Sequence, residues 1–373
     1  MDNMNIGTIP VLSAEKSISL LANMYSKVIN NNKPINVLPS VMLWGPPGIG
    51  KSQSIKQIAS IITNNTNKKV IITDVRLILF NPVDLRGIPT SNSDKTLAVW
   101  LKPKIFDMDS SSNVINILFL DEISAAPQSV QAAAYQIVLD RTIGEHKLPS
   151  NCIVIAAGNR VTDKSVAYQM PKALANRLLH IEMEANFDSW NNWAIRNDIH
   201  PYVLGFLKFK PNALNDFNPQ ISSLTFATPR SWEMVSNILN NVSDDIDSVY
   251  ELIAGLVGKT LAFEFKRWSK CYSKLPDVSA IFDGLDVQIP KEIDVTYALI
   301  TAMLHYAKEH KDELDKIENS INYAVNLQPD FALVLLKDYM YIDKDMKLKL
   351  LRIPKYSAWV NKQGRLLDAA NGL

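Results

Sequence analysis

Val41-Met42-Leu43-Trp44-Gly45-Pro46-Pro47-Gly48-Ile49-Gly50-Lys51-Ser52 is the stretch that decides the fold. Its last eight residues read G-x-x-x-x-G-K-S, a phosphate-cradling loop, and the apolar run Val41 to Trp44 before them suits a buried strand. Beyond it, Ile55, Ile58, Ala59 and Ile62 recur at i, i+3, i+4 and i+7, so the loop feeds an amphipathic helix. Glycines at 45, 48 and 50 let the backbone turn tightly and bring its N–H groups onto phosphates, while the helix N-terminus adds partial positive charge. Lys51 is then expected to neutralise the β and γ phosphates, and the Ser52 hydroxyl to ligate Mg²⁺. Pro46, Pro47 and Ile49 complete the cradle, and Gln53 follows it in the first helical turn. The alternative, a glycine-rich turn with no nucleotide, leaves the strand-loop-helix context without a reason.

Outward from the loop, a helical pattern covers about residues 11–30, and Lys69 to Val75 reads as a second strand. Prolines at 82 and 89 break any long helix over Asn81 to Trp100, which reads as an inserted loop or hairpin. Residues 115–120, Ile-Asn-Ile-Leu-Phe-Leu, make a nearly continuous apolar strand ending at Asp121-Glu122. A helix with Val130, Ala133, Ala134, Ile137 and Val138 follows, then a turn-rich stretch from Thr142 to Pro149 and a strand from Cys152 to Ala157 that closes on Gly158-Asn159-Arg160. Apolar strands alternating with amphipathic helices imply a parallel sheet wrapped by helices, with functional residues at the strands' carboxyl ends. After about residue 186 the strand signals fade. Residues 188–197, 232–239, 249–268, 294–308, 313–325 and 330–340 read as helices, and the stretch from Pro276 to Pro290 is a candidate boundary.

At 373 residues the chain has the length of two domains or more. Lys plus Arg number 39 against 38 Asp plus Glu, so no global field draws the protein to nucleic acid or membrane, and any such contact must be local. Cys152 and Cys271 stand far apart in no metal-like spacing, which suits a reducing compartment and two inert thiols. Met1 to Asn5 carry no basic region followed by an apolar stretch, and no run approaches the ~18 apolar residues of a membrane span, so a cytoplasmic protein without membrane contact is expected.

Asp121, a carboxylate at the tip of a buried strand, is assigned the Mg²⁺ shell, and Glu122 beside it the polarising of a water for in-line attack on the γ-phosphate. With these residues in place, the chain resembles the AAA+ ATPases and, more narrowly, their MoxR-type branch. The resemblance is carried by Gly45 to Ser52 (the Walker A motif), Asp121-Glu122-Ile123-Ser124-Ala125-Ala126-Pro127 (Walker B), Ala156-Ala157-Gly158-Asn159-Arg160, Pro82 to Gly87, Asp140 to Gly144 and Leu174-Ala175-Asn176-Arg177-Leu178. It covers roughly residues 15–235 and is specific in the combination of its motifs.

The resemblance implies an α/β, P-loop AAA+ core with a parallel sheet flanked by helices over residues 1–187. An α-helical lid over 188–275 and a helical C-terminal extension over 276–373 would follow. It makes Asn159 similar to sensor 1, which orients the attacking water, and Arg177 similar to an arginine finger given in trans to a neighbour's γ-phosphate. Arg230, just after Thr228 and Pro229 in a plausible helix start, resembles sensor 2. Arg141 and Arg160 keep two readings, a subunit interface or plain solvent. The segment 81–100 resembles the branch's helix-2 insert and 142–149 its pre-sensor-1 hairpin, with Trp100 or Ile88 facing a substrate, although a structural hairpin would use the same residues.

The leading expectation is therefore an Mg²⁺-dependent ATPase (ATP phosphohydrolase) that assembles into a ring, a hexamer by the resemblance, and acts chaperone-like on a client protein. The same resemblance implies a partner bearing a von Willebrand factor A (VWA) domain. A nucleic-acid motor or loader is the second hypothesis; near-zero net charge and the lack of a basic insert weigh against it. A non-hydrolysing nucleotide switch is the third, and the intact Glu122 and Asn159 weigh against that. Lys266 to Lys274 mixes basic and aromatic residues as single-strand binders do, yet continues a helix pattern and reads better as a solvated face. His305 and His310, five apart, miss the i, i+4 spacing of a helical metal pair.

Overall fold

In a computed structural model the chain is described over residues 9–163, 170 and 172–370. The first five residues, on which the expectation of no leader rests, lie outside the described residues, as does the side chain of Leu174. The chain forms two compact units, Met1–Asn186 with Phe217–Ser222, and Phe187–Asp216 with Ser223–Leu373.

The first unit runs β1 (Val11–Ser13), α1 (Ala14–Asn30), β2 (Val41–Trp44), α2 (Lys51–Thr66), β3 (Lys69–Arg76), α3 (Pro82–Arg86), β4 (Ile88–Ser91), β5 (Ala98–Leu101), β6 (Val114–Asp121), α4 (Gln128–Asp140), β7 (Thr142–Ile143), β8 (His146–Lys147), β9 (Cys152–Gly158), α5 (Lys172–Ala175) and β10 (Leu179–Glu184). Six strands form one sheet in the order β1-β10-β2-β9-β6-β3, and every neighbouring pair is parallel. Strand residues alternate between the two faces, and both faces are covered. Val41, Leu43, Ile117, Phe119 and Ile155 pack with α1 and α2 on one side, while Met42, Leu118, Leu120 and Ala156 pack with α4 on the other. Burial on both sides is why β6 and β9 read as nearly continuous apolar runs.

The sheet order sets up the site. β2 is followed by the phosphate loop, β6 ends at Asp121, and β9, lying between them, leads to Asn159, so three loops leave one edge of the sheet side by side. The sequence pattern shows β2 in full and most of β3, β6 and β9, but it does not announce β1 or β10. The inserted segment is a short helix, α3, followed by the antiparallel hairpin β4–β5, and residues 142–147 form a second, two-residue-per-strand hairpin.

The second unit is helical: α6 (Phe187–Arg196), α7 (Pro201–Phe209), α8 (Pro229–Asn241), α9 (Ile246–Val257), α10 (Lys259–Ser269), α11 (Val278–Phe282), α12 (Ile293–Glu309), α13 (Leu314–Ala324), α14 (Pro329–Tyr339), α15 (Met346–Leu351) and α16 (Pro354–Ala370). One hydrophobic core runs from Trp190 to Tyr356 and includes Ile281 and Phe282, so packing is continuous through the Pro276 to Pro290 stretch. The single helix expected over 249–268 is two helices, because Gly258, at φ +85°, ends α9 and begins α10. Among the described residues no helix is long and apolar enough to cross a membrane. Cys152 and Cys271 are buried free thiols, both pushed up to about 12, first of all by burial.

Candidate active site at the carboxyl edge of the sheet

Gly45 opens the loop at φ +149°, and a Cβ there would stand 2.6 Å from the Met183 carbonyl oxygen of β10, so the approach of loop to sheet requires glycine. Gly50, left-handed at φ +96°, delivers the chain into α2. Lys51 in the first turn is buried, and its Nζ donates to the carbonyls of Gly45 (2.5 Å) and Pro46 (2.9 Å) and to Asn159 Oδ1 (2.9 Å). The loop lysine and the polar residue at the end of β9, 108 positions apart, are therefore in direct contact.

Ser52 and Asp121 meet as well. The Ser52 hydroxyl donates to Asp121 Oδ2 at 2.7 Å, and Asp121 Oδ1 accepts from the Glu122 N–H at 2.9 Å. Glu122 is exposed and sits in the left-handed region at φ +59°, a conformation costing a non-glycine residue about 1–3 kcal/mol. The turn is held by its own bonds: the Glu122 carbonyl accepts from Ala125 and Ala126 N–H, and Ile123 N–H donates to Ala157 O of β9. Strained backbone of this kind clusters at active sites, ligand clamps and switch regions. On the neighbouring strand, burial and then the negative charge of Asp121 raise the Asp74 carboxyl above its ordinary range.

A hydroxyl and a carboxylate oxygen converging at 2.7 Å fit a small hard cation that takes its remaining oxygens from water and phosphate. Among the described residues no three His, Cys, Asp or Glu cluster as a metal cage, and Mg²⁺ held between a protein and a nucleotide needs none.

Two features were not legible beforehand. Ser124 Oγ accepts from the Asn159 N–H at 2.9 Å, and a Cβ on Gly158 would lie 2.8 Å from that oxygen, so the segment after β6 and the end of β9 are locked together. Arg141 and Arg160, left between interface and solvent, take a third option. Arg141 turns inward to the Cys152 carbonyl, and Arg160 pairs with Asp163 (2.7 Å) and with Glu182 of β10.

Arg177 lies exposed in the turn after α5. Arg230 lies exposed in the first turn of α8, which begins as its sequence suggests: Thr228 Oγ1 accepts from Ser231 N–H (3.1 Å) and Ser231 Oγ from Thr228 N–H (2.7 Å). Arg230 belongs to the second unit, and Lys51, Ser52, Asp121, Glu122, Asn159 and Arg177 to the first. Gln53 is exposed in the first turn of α2, and Pro46, Gly48 and Ile49 lie in the loop itself.

Of the two insert residues singled out, Ile88 is exposed, whereas Trp100 is half-buried and its main chain is clamped: the backbone N–H donates to Glu145 Oε1 (3.1 Å) and the backbone carbonyl contacts His146 Nε2 (2.7 Å). The basic and aromatic stretch 266–274 is tied up internally, with Lys266 on Asp247, Lys274 on Glu292 and Trp268 buried.

A family model described as "ATPase family associated with various cellular activities (AAA)" matches residues 40–180. Over 143 residues, 37% of its length, the chain is 25% identical to the protein named Chaperone MoxR1 of Mycobacterium tuberculosis. The match spans 34% of that relative, about a third of its length. Similar solved structures include PCH-2 of C. elegans, at 12% identity and a TM-score of 0.35, and a RuvB variant of Thermotoga maritima, at 16% identity and a TM-score of 0.36. Each of these alignments covers 68% of both chains.

Proposed function

We propose that this chain, whose residues 40–180 match the AAA family model and which resembles the MoxR-type AAA+ ATPases, hydrolyses ATP with Mg²⁺ at a site completed by a neighbouring subunit and uses the cycle to remodel a client protein. The observation that carries this is the pair of contacts Lys51 to Asn159 and Ser52 to Asp121, which gather a phosphate-binding cation, a water-orienting amide and a metal-binding pair at one sheet edge.

Lys51 would lie along the β and γ phosphates, and Ser52 and Asp121 would hold Mg²⁺, which supplies charge neutralisation on the phosphate oxygens when bound. Glu122, exposed beside them, takes a proton from the attacking water, and Asn159, oriented through Ser124, fixes the line of attack. Arg177 of an adjacent copy would meet the charge that develops on the γ-phosphate, where its fixed fork of donors is most effective. Arg230 would report the nucleotide to the helical lid, 188–275, and 276–373 would serve as an added helical extension.

An in-trans finger calls for a ring, taken as a hexamer. The client-directed reading draws on the chaperone name of the M. tuberculosis relative, and a VWA-domain partner on the MoxR resemblance. We place the protein in the cytoplasm. The test is phosphate release from ATP with and without Mg²⁺, alongside particle mass by light scattering. Mg²⁺-dependent turnover by a multi-subunit particle is expected; a monomer that hydrolyses as fast would remove the shared site. Strong, salt-sensitive stimulation by DNA or RNA would replace the protein client with nucleic acid.

A further inference from the structure

We propose that His180 is a positioning residue joining the strand that enters the phosphate loop to the turn that carries Arg177, so that each subunit's own nucleotide loop sets the finger it offers its neighbour. The proposal rests on the finger assignment made above.

Ile181 and Met183 of β10 face the core shared with α1 and α2, so strand alternation puts His180 and Glu182 on the opposite face, with Met42 and Trp44 of the neighbouring β2. There the Trp44 indole Nε1–H donates to His180 Nδ1 at 2.9 Å, and the two rings lie nearly parallel, 13° apart. His180 Nε2 stands 2.8 Å from the Ala175 carbonyl. An indole N–H only donates and a carbonyl only accepts, so Nδ1 must be bare and Nε2 must carry the proton. The imidazole is held as a single neutral tautomer with both nitrogens engaged.

Each end of this relay reaches the catalytic machinery in one step. Trp44 is bonded to Gly45, whose carbonyl receives Lys51 Nζ. The Ala175 oxygen that accepts from His180 also accepts from Leu178 N–H at 3.2 Å, closing the turn in which Arg177 sits. A shift of the loop on gaining or losing phosphate contacts would move Trp44, and the imidazole ring would carry that movement to the Arg177 turn beside the main-chain pairing of β10 with β2. Glu182, two residues along the same face, pairs with Arg160 beside Asn159, so β10 also anchors the loop that follows β9.

The test uses mixed rings, where a donor's own site is dead and only its finger counts. Arg177→Ala subunits keep their phosphate loop but need a neighbour's finger; Glu122→Gln subunits keep Lys51 and a loop able to bind ATP, lack the base, and donate a finger. Mixing the two should restore turnover. Replacing the donor by Glu122→Gln/His180→Phe, which keeps a ring but removes both bonds, should lower the restored rate about tenfold, the scale of losing one to two positioned hydrogen bonds. Light scattering would confirm that the donor enters the rings.

Equal restoration by both donors would overturn the relay. Wild-type turnover by Arg177→Ala alone would overturn the finger assignment, and the relay with it. If the His180→Phe donor does not assemble, Glu122→Gln/Trp44→Phe removes only the indole donor and should also restore less than Glu122→Gln; full restoration by it would equally overturn the relay.

Discussion

Buried polar groups do different work in the two units. In the α/β unit, Lys51 and Asp121 are buried and their contacts converge on one edge of the sheet, where an oxygen-rich ligand and a cation would replace or share them. In the helical unit the most deeply buried charges are Lys208 of α7 and Asp338 of α14, 1% and 3% exposed at their side chains, paired with each other and closed off by Asn191 of α6 at 2.9 Å from Asp338 Oδ1. The contrast teaches that burial of charge alone does not mark a site: the pair at the sheet edge is arranged around a loop end, whereas the pair in the helical core fastens three helices.

The difference can be broken by experiment, beginning where the effect is largest. Arg177→Ala should lower kcat by about 10³-fold or more while leaving ATP affinity and melting temperature nearly unchanged; a comparable loss of stability instead would make Arg177 an architectural residue like those of the other unit. Asp338→Ala strands a buried ammonium and should cost about 3–5 kcal/mol in denaturant unfolding. A variant as stable as wild type would show that the helical pair is not the fastener described.

His200, at the start of α7, sharpens the comparison through pH. Burial depresses its imidazole from 6.5 to about 4. The unfolded chain therefore takes up the proton first as pH falls, so the stability due to neutral His200 is complete above pH 6.5 and is lost towards pH 4, by up to about 3 kcal/mol. His200→Phe should flatten that slope in pH-dependent unfolding, and an unchanged slope would assign it elsewhere. Thr228→Ala, removing the α8 cap, should cost about 1 kcal/mol by the same assay.

How much of this was written plainly in the sequence depended on what each segment buries. β2, β6 and β9 are covered on both faces and show as apolar runs. β10, Leu-His-Ile-Glu-Met-Glu over residues 179–184, packs only one face into the apolar core, and its other face spends His180 and Glu182 on polar contacts, so it passes for the tail of a motif. α7 escaped for the opposite reason: Pro201 to Phe209 is buried nearly all round and lacks a polar stripe, and even its Lys208 is buried.

Gly45 to Ser52 and Asp121-Glu122 were legible because phosphate and cation binding would demand such residue types at fixed spacing. Their partners were not, since Lys51 meets Asn159, and Asn159 meets Ser124, only once the strand order has placed β9 between β2 and β6. The left-handed Glu122 was likewise invisible, because no glycine or asparagine announces it.

The most direct test of ATP hydrolysis at the sheet edge is single-turnover phosphate release by Glu122→Gln beside wild type, with ATP binding measured on the same samples. A drop of about 10²–10⁴-fold in release with binding retained is the expected result for loss of a positioned base. Undiminished release would contradict the assignment of Glu122 and, with it, the mechanism built on this edge of the sheet.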